Sequence, residues 1–167
     1  MSGKRGGILA GMVLGAAWGV GLVWFGTVYV NLPIFTYTWT LALAFLFPGL
    51  VLAALIGRLA QRRFFDSAII DGQPFAPGSG ADIDARVLQN TVEQIVLALV
   101  LWPVTGFILA TDGPGVVVSL GIGFALARVA FWVGYHIAPP LRAFGFAATF
   151  YPTLIALGWA GLWWVVN

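Results

Sequence analysis

Cysteine is absent from the 167 residues. That excludes a disulfide framework, a thiolate metal site and a cysteine nucleophile, so any sulfur chemistry must use a ligand's thiol. Charge is almost as scarce: Asp, Glu, Lys and Arg make up 8% of the chain, against roughly 25% in a soluble domain, and water is thereby excluded as the main solvent. The net charge of +2 is too small for a nucleic-acid surface, and no nucleic-acid partner is expected. The single histidine, His136, lacks a second imidazole or placed carboxylates nearby in the sequence. No metal site is expected, and His136 reads as an interfacial or structural residue.

What remains is 60% hydrophobic, arranged in five apolar segments at about residues 8–30, 37–60, 84–110, 115–137 and 143–166. Segments near 20 residues satisfy their backbone as membrane-crossing helices, whereas barrel strands would need about 10 alternating residues. The expected fold is an all-α integral membrane protein, one membrane domain over residues 1–167 with five spans. The first segment follows Lys4 and Arg5 but exceeds the roughly 7 to 15 residues of a signal-peptide core, so it reads as a retained span. Asn31-Leu32-Pro33 and Thr111 to Gly115 read as short turns on one side. The loop at about 61–83, with Asp66, Asp71, Gly72, Pro74, Pro77, Gly78 and Gly80, lies on the other. Pro139-Pro140 separates the fourth helix from the fifth.

Lys4, Arg5, Arg58, Arg62, Arg63, Arg86 and Arg142 all fall at segment ends on the loop's side. By the positive-inside rule that side is cytoplasmic, which puts the amino terminus inside and the carboxyl terminus outside. Gly7, Gly11, Gly15 and Gly19 recur at every fourth position of the first span, a stripe that lets helix backbones approach closely, within the subunit or between subunits.

The few intramembrane charges are the functional candidates. Arg86, Asn90 and Glu93 stand at i, i+4 and i+7 of the third helix, one face, with Glu93 about 10 Å deeper than Arg86. Arg128 and Tyr135 share a face of the fourth helix, Arg128 lies at a depth similar to that of Glu93, and Arg142 follows the proline break. Glu93 and Arg128 are expected to pair or to share a polar network; an ion pair that merely fixes helix packing is the plainer alternative. The whole set offers more donors and cations than one glutamate can satisfy, which suits an anionic ligand.

Arg86-x-x-x-Asn90-x-x-Glu93, then Ala127-Arg128, Gly134-Tyr135 and Arg142, together with Arg62-Arg63-Phe64, resembles the MAPEG family, membrane-associated proteins in eicosanoid and glutathione metabolism. The resemblance runs from about residue 37 to the carboxyl terminus and is that of a bacterial-type member with an extra amino-terminal helix. It implies a four-helix bundle forming a homotrimer in a bacterial inner (plasma) membrane, with glutathione as co-substrate bound between subunits near the cytoplasmic face. Arg86, Asn90, Glu93, Arg128 and Tyr135, with Arg62 or Arg63, would contact glutathione, and Arg142 would be the catalytic residue that stabilises its thiolate. A free thiol with a pKa of about 8.5 is mostly protonated at neutral pH, and a guanidinium favours the thiolate. The resemblance thus implies a glutathione-dependent membrane transferase or peroxidase acting on a lipophilic electrophile that enters from the membrane lipids. Phe131, Leu88 and Gln94 depart from contacts that some relatives make. Phe131 in particular sustains an alternative, a non-catalytic lipid-binding or scaffolding member of the same fold. A small transporter fits less well, since neither inverted repeats nor broken midplane helices are evident.

Overall fold

The computed structural model describes residues 2–166. The side chains of residues 2–4 lie outside the described residues, and with them the expected anchoring role of Lys4. Among the described residues every regular element is helical: α1 (Ser2–Val28), α2 (Tyr37–Phe64), α3 (Gly80–Ile108), α4 (Gly113–Ile137) and α5 (Pro139–Val166). Each is long and apolar enough to cross a membrane.

Of the boundaries that move by a turn or more, three have a local reason. Helix α3 starts at Gly80 instead of near residue 84, because Ser79 caps it. The Ser79 hydroxyl accepts from the Asp82 amide at 3.2 Å, and the Asp82 carboxylate accepts from the Gly78 amide at 2.8 Å. This is a variant of the capping box, Ser-x-x-Asp ahead of an apolar run. Helix α5 starts at Pro139, not near residue 143. Ala138 before it is extended (φ −155°, ψ 120°), as a residue preceding proline tends to be, and proline suits a first helical position. Arg142 therefore sits in the first turn of α5. Helix α2 runs on to Phe64 and carries Arg62 and Arg63 within its last turn, which leaves a loop shorter than the expected 61–83.

The α3–α4 connection is a 3-10 turn, Ala110–Asp112, in which Ala110 has φ +49°. A Cβ there is strained, and glycine carries no such penalty. Ala110→Gly is expected to stabilise the protein by roughly 0.5 to 1 kcal/mol, raising the thermal midpoint in detergent; an unchanged or lower midpoint would contradict that reading.

Helix α4 is the central post, packed against all four other helices. End-to-end contacts fix the helix directions. The Tyr37 hydroxyl donates to the Pro103 carbonyl at 2.7 Å, joining the start of α2 to the end of α3. Arg62 meets Asp84 where α2 ends and α3 begins. Gly7 lies against Pro140, so α1 and α5 run parallel. Arg58, Arg62, Arg63, Arg86 and Arg142 accordingly gather at one end of the bundle, and Asp112 stands at the other.

The glycine stripe serves contact within the subunit. A Cβ on Gly15 would fall 2.8 Å from the Ala148 backbone nitrogen, and one on Gly11 would fall 3.0 Å from that of Phe144. Helix α1 thus packs backbone to backbone on α5, the most extensive helix pairing in the molecule. Since backbone cannot yield as a side-chain tip can, Gly15→Val is expected to cost about 1 to 3 kcal/mol, read as a lowered thermal midpoint. A variant as stable as the parent would show that the two helices can part without cost.

Candidate functional site

Arg128 on α4 is the buried centre of the polar residues, 1% exposed. Its Nε donates to the Thr149 hydroxyl at 3.0 Å and its Nη1 to the Asn90 Oδ1 at 2.8 Å, while its Nη2 stands 3.4 Å from the Gly145 carbonyl. The guanidinium also lies 4.1 Å from the Phe131 ring centroid. Two close approaches allow this. A Cβ on Gly134 would run into the backbone at Leu141 and Arg142, and one on Gly145 into that at Phe131. Small residues there let α4 and α5 touch, so one arginine can reach across both helix boundaries.

Glu93 and Arg128 share a polar network, the second of the two expected arrangements, and do not pair directly. Asn90 stands between them instead: its Oδ1 accepts from Arg128, and its Nδ2 donates to Glu93 Oε2 at 3.3 Å. Gln89 donates to the other carboxylate oxygen at 3.1 Å. The physical reason is helical geometry. Asn90 is one turn nearer the helix start than Glu93 and faces inward, whereas Glu93 points out of the bundle and is exposed. An amide, with an acceptor and a donor, can link a cation to an anion that do not touch.

Tyr135 extends the chain of contacts. Its ring meets Phe131 edge-on at 5.0 Å between centroids, and the Arg142 guanidinium lies over its face at 4.9 Å. Among the described residues Arg142 has no carboxylate and no hydrogen-bond partner, so this cation is held by an aromatic face alone. Side chains from three helices thus run continuously from Glu93 through Asn90, Arg128, Phe131 and Tyr135 to Arg142.

Three other anticipated residues are engaged elsewhere. Arg86 points outward and pairs with Asp82 one turn back, Nη2 to Oδ2 at 2.9 Å, with 62% of its side chain exposed. Such a pair contributes little stability and is easily released. Arg63 donates to the carbonyls of Ile69 and Gln73 at 3.1 and 3.3 Å and lies 4.4 Å from the Phe75 ring, which ties the loop to α2. Arg62 donates through Nε to Asp84 Oδ2 at 2.7 Å.

That last contact belongs to a second cluster which the sequence reading missed. The Asp84 side chain is 1% exposed. Its other oxygen, Oδ1, is 2.7 Å from Trp132 Nε1, a donor, and 3.0 Å from His136 Nε2, while Arg58 Nε stands 3.9 Å from the Oδ2 that Arg62 holds. His136, expected to be structural, is one of the groups holding this carboxylate. A sequence signal did exist. Ala81, Asp84, Val87, Thr91, Gln94, Ala98 and Trp102 recur at steps of three and four and are all buried, so Asp84 lies on the inward stripe of α3. Among the described residues no group of histidine and carboxylate side chains could hold a metal ion.

The model of one protein family, the MAPEG family, matches residues 36–162, which takes in α2 to α4 and most of α5 and leaves α1 outside. No curated protein and no solved structure matches the chain.

Proposed function

The chain belongs to the MAPEG family, and from that premise we propose that it is a glutathione-dependent membrane transferase or peroxidase acting on a lipophilic electrophile. The observation that carries this reading is the run of contacts from Glu93 to Arg142, which ends in a guanidinium with no anion of its own among the described residues. A buried or half-buried cation in an apolar bundle calls for a negative partner, and a thiolate supplies one.

The residues fit glutathione by charge. Glu93 offers an acceptor to the ammonium group, Arg86 can exchange its exposed pair with Asp82 for a ligand carboxylate, and Arg142 can hold the sulfur as thiolate. Glutathione supplies the nucleophile. Arg128, with three of its five donors committed to Asn90, Thr149 and Gly145, orients Asn90 and packs against Phe131. Arg62 and Arg63 are held by Asp84 and by loop carbonyls. They join such a site across a subunit boundary, which makes a homotrimer part of the proposal. The basic end faces the cytoplasm of a bacterial inner membrane, by the positive-inside rule.

Calorimetric titration of the detergent-purified protein with glutathione, followed by an assay with a chromogenic electrophile, tests the reading. Binding and turnover are the expected result; absence of binding at millimolar glutathione overturns it. Glu93→Gln should weaken glutathione binding by about tenfold, the worth of one charge-assisted contact, and unchanged affinity would remove Glu93 from the site. Light scattering of the purified protein should return the mass of three subunits. One observation favours a second reading, a non-catalytic lipid-binding member of the fold: Phe131, 3% exposed between Arg128 and Tyr135, brings no hydroxyl to the thiol.

A further inference from the structure

The Asp84 cluster opens onto a cavity of about 490 Å³ whose polar wall is Arg58, Arg62, Asp84 and His136 and whose apolar wall is Trp132, Val133 and Ile137. It lies in the groove between α2 and α4, at the basic end. None of the residues from Glu93 to Arg142 in the relay described above lines it.

Its charges do not balance. One carboxylate serves two guanidiniums and an imidazole, and Asp84 is already occupied by Arg62 Nε, Trp132 Nε1 and His136 Nε2. Arg58 at 3.9 Å is left largely uncompensated, with 45% of its side chain exposed. Arg62 spends only its Nε on Asp84, and among the described residues its terminal nitrogens, which lie beside Gly80, make no hydrogen bond. Yet this basic cavity is walled on the α4 side by the apolar side chains of Val133 and Ile137, 41% and 71% exposed on a membrane-spanning helix. A water-soluble anion has no use for that wall. An amphiphile with an anionic headgroup uses both, the phosphate near the arginines and the chain along Val133 and Ile137, at the helix-end depth where headgroups lie. Trp132, with its ring between the two regions and its N–H on Asp84, suits the same boundary.

We propose that the α2–α4 cavity is a binding site for an anionic phospholipid, with Arg58 and Arg62 at the phosphodiester, His136 beside them and Asp84 as the anchor that keeps them in place. The site shares Arg62 with the proposed glutathione site, but Arg58, Trp132 and His136 belong to it alone, and it stands whether or not glutathione binds.

The test is native mass spectrometry of the full-length protein released from mixed micelles holding equal amounts of phosphatidylglycerol and phosphatidylcholine. The expected result is preferential retention of phosphatidylglycerol. Arg58→Gln should reduce that preference roughly fivefold, the value of one basic group near an anionic headgroup, and Arg58→Lys should keep most of it. Because Arg58 is exposed, neither variant threatens folding. Arg5→Gln, which removes a cation from the same end but outside the cavity, should change nothing. Equal retention of the two lipids, an unaffected Arg58→Gln, or an equal loss in Arg5→Gln would each overturn the proposal. Displacement of the lipid by millimolar inorganic phosphate would assign the cavity to soluble anions instead. Displacement by glutathione would assign it to the reaction.

Discussion

Arg142→Ala is expected to lower turnover with glutathione by about 100- to 1,000-fold, the effect of removing one preorganised charge from a developing anion, while glutathione affinity changes by only about threefold. The split between the two follows from where the residue sits. Arg142 occupies the first turn of α5, in contact with the Tyr135 ring and with no anion of its own. Its removal therefore strands no buried partner, and the fold should persist. What is lost is stabilisation of the sulfur anion, which matters most where the thiol must be ionised to react. Steady-state kinetics against a chromogenic electrophile, alongside calorimetric affinity, separates the two quantities. Raising the pH should recover part of the lost rate in Arg142→Ala, because bulk deprotonation then replaces the missing guanidinium. A variant with turnover equal to the parent's would end the assignment of Arg142.

Asp84→Ala is expected to be the most destabilising of the single changes considered, by about 3 kcal/mol. Breaking a buried pair by removing one partner costs roughly 3 to 5 kcal/mol, and the lower end applies because the Arg62 side chain is 29% exposed and can recover some hydration. Trp132 Nε1 and His136 Nε2 lose their shared acceptor in the same step. Asp84→Asn keeps an oxygen for Trp132 and should lose less, about 1 to 2 kcal/mol. Thermal unfolding in detergent, read by tryptophan fluorescence, distinguishes the two variants. If Asp84→Ala melted with the parent, the carboxylate would not be what joins α2, α3 and α4.

Much of this was legible before any coordinates. Apolar run length identified five helices, because a bilayer leaves the backbone few alternatives. The i, i+4, i+7 spacing put Arg86, Asn90 and Glu93 along one side of α3, though not with one fate: Asn90 turns inward, while Arg86 and Glu93 are exposed. Periodicity gives an angle around the axis, but it does not say where a long side chain ends. Glu93 and Arg128 are expected to pair or to share a polar network, and they share one through Asn90; depth along a helix is legible in the sequence, whereas the rotation of α3 against α4, which decides between the two, is not. Asp84 was missed because an aspartate near a helix start reads as a capping charge. Ser79 and Asp82 already supply that cap, which leaves Asp84 a turn inside on the buried stripe.

Asn90 has a consequence beyond relaying charge. Its amide presents oxygen to Arg128 and nitrogen to Glu93, and rotation of the group by half a turn would set donor against donor on one side and acceptor against acceptor on the other. Sliding α3 by one residue would offer Arg128 either Gln89, which points away, or Thr91, whose hydroxyl can accept from Arg128 but has its one proton on the Val87 carbonyl and so none for Glu93. The side chain thus acts as a keyed joint: it accepts one orientation and one register, and the position of Glu93 at the bundle surface is set by the shape of the key.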